Sequence, residues 1–516
     1  MRRALFLSMV ALLFAVSSDT TVFAQVSHPR TISGKYADAT PDTEIIPEQY
    51  LLMGTATCGC GESQAAINPL NADEIAVAAM CVVNSNEGKF EDNELRFERT
   101  ARATITEFAV TRNRGVTWTI TEDPMRDYFH RNRCLDPFAA FAADGTMILG
   151  CEAHFPVTLS PEEETNEVNG APQDYGGSSL IWSTDGGRTF SDPVQVISSF
   201  MPKEILGPFV SFARVGSQGD RPEIRVDFST GKIYLNGHSE AADPPHRQTV
   251  VRMSKDRGRD WGMVYAFDSP EWPESGFGGE YDVADGVMGV AYIASSVPAS
   301  LHAHCPCRVF GASTDDGKTF NRYLIPGSPP DASAGPLFGM IVAANPTRPG
   351  AFSILFPTSN GVDTVLTEDA GKSWTQTQSI PDPPSTTATN LTAAYSQSGI
   401  LAVAWRAMYP LSQPAPPRPR PLPAYLQTQP YVFFAQPQRF EIWSAISRDG
   451  GKSFSAPHKV STAASPGVSR RRVMGDHGAD FISVAADKDF VHMTWFDDRA
   501  GFRATWYGRV PIADYK

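Results

Sequence analysis

The chain has 516 residues, 41% of them hydrophobic and 20% charged, with 41 glycines, 41 prolines and a formal net charge of −13. That balance excludes a disordered or collagen-like chain, and the supply of turn-forming residues favours an all-β architecture over a helical one. No basic stripe for phosphates accompanies the negative charge, so no nucleic-acid partner is expected.

The first residues read as an export signal. Arg2 and Arg3 form a basic start, Leu5 to Val16 an apolar run, and Val22-Phe23-Ala24 a small-residue cleavage site before Gln25. The run is shorter than the ~18 to 20 apolar residues a membrane helix requires, and no later stretch reaches that length. Residues 1–24 are therefore assigned to a signal peptide, 25–49 to a lead-in and 50–516 to one folded domain, secreted or periplasmic, with no membrane span. Cys58, Cys60, Cys81, Cys134, Cys151, Cys305 and Cys307 suit an oxidising compartment. Cys134 and Cys151 flank a strand–turn–strand pattern and read as a hairpin staple, while Cys81 could reach Cys58 or Cys60. Zinc held by Cys58-Gly-Cys60 and Cys305-Pro-Cys307 is the weaker alternative, because C-x-C is not the usual knuckle spacing. No metal ligand set is assigned, and the odd count leaves one thiol over.

From Tyr50 onward two patterns alternate. The first is a two-strand unit with a short turn: near Ser63, at Asp136 to Leu149, at Arg221 to Leu235, near Glu280, Leu337 and Leu391, and at Asp480 to Trp495. The second is an eight-residue motif, Ser/Thr-x-Asp-x-Gly-x-x-Trp/Phe. It occurs at Thr111 to Trp118, Ser183 to Phe190, Ser254 to Trp261, Ser313 to Phe320, Thr367 to Trp374 and Ser447 to Phe454, with Asn113 in place of Asp in the first copy. These residues make a tight hairpin turn. The Asp side chain accepts backbone N–H groups, the Gly supplies a positive φ, and the hydroxyl adds a local bond.

The six motifs resemble the Asp-boxes, or BNR repeats, of the sialidase superfamily, and the resemblance extends along nearly the whole mature chain. In that family the box joins the third and fourth strands of a propeller blade, remote from the active site. The resemblance therefore implies a β-propeller of four-stranded blades, with the box residues structural. Seven units and six boxes predict seven blades, the last completed by Arg503 to Val510 and by an N-terminal strand at about Tyr50 to Ala56, which removes exposed edges. Six blades, with Asp480 to Val510 completing the first, is the alternative.

Loop lengths divide the faces. The turns between first and second strands (Ala143-Asp-Gly145, Ser229-Thr-Gly231, Ala284-Asp-Gly286, Gln397-Ser-Gly399) and the boxes are short and share one face. The long connections, among them the proline-rich Met408 to Arg439 with Tyr425, Tyr431, Phe433 and Phe434, share the other, which is the expected working face. Polar residues starting the innermost strands from that face form a ring: Glu62, Arg133, Asp136, Asp220, Arg221, Glu280, Asp282, Asn390, Asp476 and His477, with Arg406 and Arg499 at the ends of second strands. Asp136, Glu280, Asp476 and His477 are the catalytic candidates. Arg133, Asp220, Arg221, Asp282 and Arg406 are the binding candidates, since guanidinium forks pair with carboxylates.

Sialidases hold the substrate carboxylate with three arginines and use an Asp acid/base and a Tyr nucleophile activated by Glu. This chain departs from that set: the family's Arg-Ile-Pro signature is absent, and Gly59-Cys-Gly-Glu-Ser-Gln-Ala-Ala-Ile67 stands in its place. Glu280-Tyr281 has the residue types of the activated pair, although strand neighbours point to opposite faces. His130, His302, His304 and His477 fall in working-face connections, where an imidazole could act as base or ligand. Two readings follow: a glycan-active, exo-α-sialidase-like hydrolase for acidic or polyhydroxylated sugars, or a non-catalytic propeller binding carbohydrate, a glycoconjugate or protein. No cofactor is expected; calcium is the one cation that the ring of carboxylates could hold.

Overall fold

The computed structural model describes residues 30–32, 49–54, 58–83, 104–122, 124–125, 134–155, 175–198, 201–212, 218–242, 245–275, 278–327, 340–358, 360–410, 439–465, 482–497, 499–500 and 504–516. They form seven antiparallel sheets arranged as the blades of a propeller, and the only helices among them are three short 3-10 turns. The innermost strands of blades one to seven are Cys58–Asn68, Cys134–Phe141, the pair Gln218–Asp220 and Ile224–Asp227, Glu280–Ala284, Ile341–Ala344, Thr387–Tyr395 and Ser483–Ala486. Each blade then runs outward through successive hairpins.

Closure follows the seven-blade expectation. Gln49–Met53 pairs with Ala504–Pro511 as the outermost strand of blade seven, so chain segments from both ends build one sheet. Tyr50 fastens that strand to blade one: its hydroxyl donates to the Gly115 carbonyl and accepts from Trp118 Nε1. On the axis, the Ala65 N–H donates to Ser483 Oγ at 2.9 Å and joins the inner strands of blades one and seven. Arg30–Ile32 adds a fifth strand outside blade one. Two disulfides, Cys60–Cys81 and Cys134–Cys151, staple the inner hairpins of the first two blades, and Cys305 bonds Cys307. Zinc held by Cys60, Cys305 and Cys307 is thereby ruled out as a reading, because their sulfurs are bonded to one another or to Cys81.

All six repeated turns share one geometry. In the fourth, Ser313 Oγ donates to Asp315 Oδ1 at 2.8 Å and accepts from the Gly317 N–H at 2.9 Å. Asp315 accepts from the Thr319 N–H at 3.0 Å and the Thr319 hydroxyl at 2.8 Å. Asp316 and Gly317 both adopt positive φ, 65° and 83°. Asn113 accepts the Thr117 N–H at 2.9 Å in the same way, which explains why the amide substitutes for a carboxylate. Burial opposes ionisation of Asp315, but the donors of Thr319 and Ser313 outweigh it and hold the carboxyl below its ordinary range.

Between neighbouring blades lie apolar layers contributed by alternate residues of facing strands. Trp405, Trp495 and Phe310 are among the large side chains fully buried there, and Phe310 of blade four reaches Gly371 of blade five, where a Cβ would stand 2.7 Å from its ring. The cores are radial, and the axis itself is left to small and polar side chains.

Candidate functional site

Four inner strands carry the same irregularity where they start from the working face. Glu62, Asp136, Arg221 and Asn390 have φ of 50°, 42°, 52° and 46°, a left-handed conformation that costs a non-glycine residue on the order of 1 kcal/mol or more. Each lies at a break in strand register: between Gly61 and Ser63, between Leu135 and Phe138, between the two short strands of blade three, and between Thr389 and Thr392. A bulge of this kind re-aims the side chain, and its recurrence in four blades groups polar residues about the axis.

Two carboxyl clusters result. In the first, oxygens of Asp136, Glu152 and Asp220 lie within 4.8 Å of one another, and Arg247 Nη1 is 3.0 Å from Asp220 Oδ2. Burial pushes Asp136 well above the ordinary carboxyl range; the charges of Glu62, Asp220 and Glu152 push the same way and Arg221 opposes them. In the second, Glu280 is pushed well up by burial and by Glu223, with which it shares a hydrogen bond, against the pull of Arg225 and Arg221. Arg225 Nη2 is 2.6 Å from Glu223 Oε2, its Nε is 3.7 Å from Asp282 Oδ1, and these anions hold its charge firmly. The charge of Arg221 lowers both Asp136 and Glu280, which links the two clusters electrostatically. A hard cation is the alternative charge partner for the first cluster. Arg247 and Arg221 supply positive charge beside these oxygens.

A cavity of about 600 Å³ runs along the axis from Gln64, Glu223, Arg225 and Asp282 to the short turns at Pro69, Phe228, Ser398 and Lys488. Alanines at 65, 140, 393 and 394 leave it hollow. It extends toward the short-turn face. The back of the carboxyl site is therefore open to the channel through Glu223.

Of the ring predicted from sequence, Glu62, Asp136, Asp220, Arg221 and Glu280 converge. Asp282 reaches the axis, but its oxygens accept the Val283 and Ala344 N–H groups at 2.8 Å, which ties blade four to blade five. Arg406, across the strands from Thr389, is buried with its guanidinium 4.6 Å from the Phe440 ring centre. Arg499 is held by Asp497 and lies over Trp506. Glu280-Tyr281 is not an activated pair. Strand alternation sends Tyr281 into the blade core, where its hydroxyl is 2.9 Å from the Glu223 and Tyr234 carbonyls. His302 and His304 are exposed. Arg133, His130, Asp476, His477 and most of Met408 to Arg439 lie outside the described residues.

Sequence reasoning missed Glu152, Glu223, Arg225, Arg247 and His238. For two of these a signal existed: Arg221, Glu223 and Arg225 alternate along an inner strand, and alternation puts them on one side. Glu152, His238 and Arg247 come from second and third strands, and only pairing register shows them. His238 stands directly across from Asp220.

Seven radial antiparallel sheets, closed by an N-terminal strand and carrying polar residues on the axis, define a seven-bladed β-propeller. No protein family and no curated protein matches the chain. Among solved structures it is similar to a protein of unknown function from Dyadobacter fermentans DSM 18053, with 14% identity, a TM-score of 0.43 and 70% of this chain and 94% of that one covered. It is similar also to the Hadza microbial sialidase Hz136, with 11% identity, a TM-score of 0.40 and coverage of 86% and 77%. The Penicillium chrysogenum alpha-L-arabinanase complexed with arabinobiose matches at 14% identity and a TM-score of 0.40, with 75% and 96% covered.

Proposed function

We propose that the protein is an exported glycan-active hydrolase of exo-glycosidase type, with its site at the axial carboxyl clusters around Arg221. The observation that carries this reading is the clustering of Asp136 with Glu152 and Asp220 and of Glu280 with Glu223, in which Asp136 and Glu280 are pushed toward their protonated form and both feel the charge of Arg221. Glycoside cleavage requires such a pairing: a carboxyl that keeps its proton donates it to the leaving oxygen, and an ionised one serves as base or nucleophile. Arg221 suits the anionic group of an acidic sugar. Without the Arg-Ile-Pro signature, the three-arginine grip of sialidases is not carried over, and an acidic or polyhydroxylated sugar is the broader substrate class. The three disulfides support export to an oxidising compartment.

The test is turnover of chromogenic glycosides and acidic polysaccharides by the purified protein. Asp136→Asn and Glu280→Gln are each expected to lower kcat by ~10²-fold or more, as loss of a general acid does, with the fold intact by circular dichroism. Arg221→Glu is expected to abolish use of acidic substrates. Binding without turnover across the panel would replace this reading with a carbohydrate-binding propeller, and neither binding nor turnover would remove both.

A further inference from the structure

Behind the axial site, blade three holds a buried polar chain that the reaction proposed above does not use. Thr249 stands at its centre. Its Oγ1 accepts the Gly279 N–H at 2.8 Å, lies 2.8 Å from Glu274 Oε1 and lies 3.0 Å from His238 Nδ1. Glu274 Oε2 accepts the Thr249 N–H at 2.7 Å. His238, Thr249 and Glu274 are all buried.

A hydroxyl has one hydrogen and two lone pairs. Gly279 takes one lone pair of Thr249, so of Glu274 and His238 one must donate to the hydroxyl and the other accept from it. An ionised Glu274 can only accept. The Thr249 hydrogen then points to Glu274, His238 donates from Nδ1, and Nε2 is a bare acceptor. With a proton on Oε1, Glu274 donates, the Thr249 hydrogen turns to Nδ1, and the remaining imidazole hydrogen sits on Nε2.

His238 pairs across the strands with Asp220, and the charges acting on it are those of Arg221, Asp220 and Arg247. Gly278 lies against its outer edge, where a Cβ would stand 3.5 Å from Nε2. We propose that His238 is a positioning residue of the axial site whose Nε2 changes between acceptor and donor, with Glu274 setting the change through the Thr249 hydroxyl.

The surroundings make the change accessible near neutrality. Burial and the charge of Asp268 push Glu274 up to about 7 against the donors of Thr249 and Gly279. Tyr292 faces the same pair of carboxyls. Asp268 is itself held by His246 Nε2 at 3.0 Å and Gln248 Nε2 at 2.8 Å, and Arg322 donates to its carbonyl at 3.1 Å. Burial, with Arg221 and Arg247 against Asp220, pushes His238 down to about 3, so the ring stays neutral and only its tautomer responds.

The catalytic consequence rests on the axial site being the working site, but the tautomer can be read without substrate. In protein labelled with ¹⁵N-histidine, long-range ¹⁵N–¹H correlations should show a neutral His238 passing from Nδ1–H to Nε2–H as pH falls through about 7. The signal is assigned by its loss in His238→Gln. Thr249→Val should hold one tautomer at every pH, and Glu274→Gln should do the same if the valine variant fails to fold. A wild-type His238 that keeps one tautomer, or variants that still switch, would overturn the proposal. If a glycoside is turned over, the pH–rate limb near neutrality should move in Thr249→Val. An unmoved limb with a switching tautomer would sink the positioning role while leaving the reaction assignment standing.

Discussion

At the scale of single residues, two kinds of left-handed position serve two ends. In the repeated turns a positive φ falls on a glycine beside a Ser or Thr hydroxyl and an Asp, and the conformation is held by hydrogen bonds that begin and end within eight residues. Asp315→Ala removes those acceptors and is expected to cost on the order of 1 to 3 kcal/mol. Gly371→Ala should cost more than Gly231→Ala. A Cβ at Gly371 meets the Tyr323 ring at 2.6 Å and Phe310 at 2.7 Å, whereas at Gly231 nothing lies within 4 Å and only the φ strain remains. Urea denaturation ranks the three, and ligand binding should be untouched because these turns face away from the long connections. At Glu62, Asp136 and Arg221 the same backbone conformation falls on residues that pay in strain for an aimed side chain.

At the scale of elements, the strand Gln49–Met53 is the one most exposed to test. It supplies the outer edge of blade seven, buries Leu52 and Met53, and bonds through Tyr50 to blade one. Removing residues through Gly54 leaves Ala504–Pro511 as an unpaired edge and strips several apolar side chains from a filled layer. A loss on the order of 5 kcal/mol is expected from the buried area alone. Thermal melts should show a fall in Tm, and sedimentation should show self-association through the new edge. A truncated chain as stable and monodisperse as the parent would mean that the ring closes by other contacts.

At the scale of the whole molecule, the buried carboxyls set a stability profile against pH. Asp136 and Glu280 are well above their ordinary range, Glu274 is pushed up to about 7 and Asp382 to about 6, burial being the leading cause for each. Such groups bind protons more tightly folded than unfolded, so stability rises as pH falls from the raised value to the ordinary one. His238 and His492, held neutral by burial, act the other way below about pH 6.5. Asp487, brought down to about 2 because hydrogen bonds from His492 and the backbone outweigh its burial, loses its contribution as pH falls below the ordinary carboxyl range. Six raised carboxyls, with Glu240 and Asp282 also pushed up by burial, against two histidines predict a Tm several degrees higher at about pH 5.5 than at about pH 8, then a fall in stronger acid. Asp136→Asn with Glu274→Gln should flatten the neutral-to-acid rise in a calorimetric series, and an unchanged rise would assign it to other groups.

What the sequence by itself determined is the repeat and, through it, the fold. The turn motif, the short Asp-Gly and Ser-Gly turns and the surplus of two-strand units over boxes led to seven blades. They led also to a closing strand at Tyr50 to Ala56 that lies in the structure at Gln49–Met53. These features are legible because turn chemistry acts between residues a few positions apart. The placement of Asp136, Asp220, Arg221 and Glu280 about one axis followed from their shared position in each repeat. Only the tertiary structure decided that Glu152, Arg247 and His238 stand beside them, because strand register, not sequence distance, makes them neighbours. It also separated Tyr281 from Glu280, since each strand residue takes the face its alternation assigns. The upward push on Asp136 and Glu280 likewise comes from tertiary structure, through their burial and the charges that ring closure brings beside them.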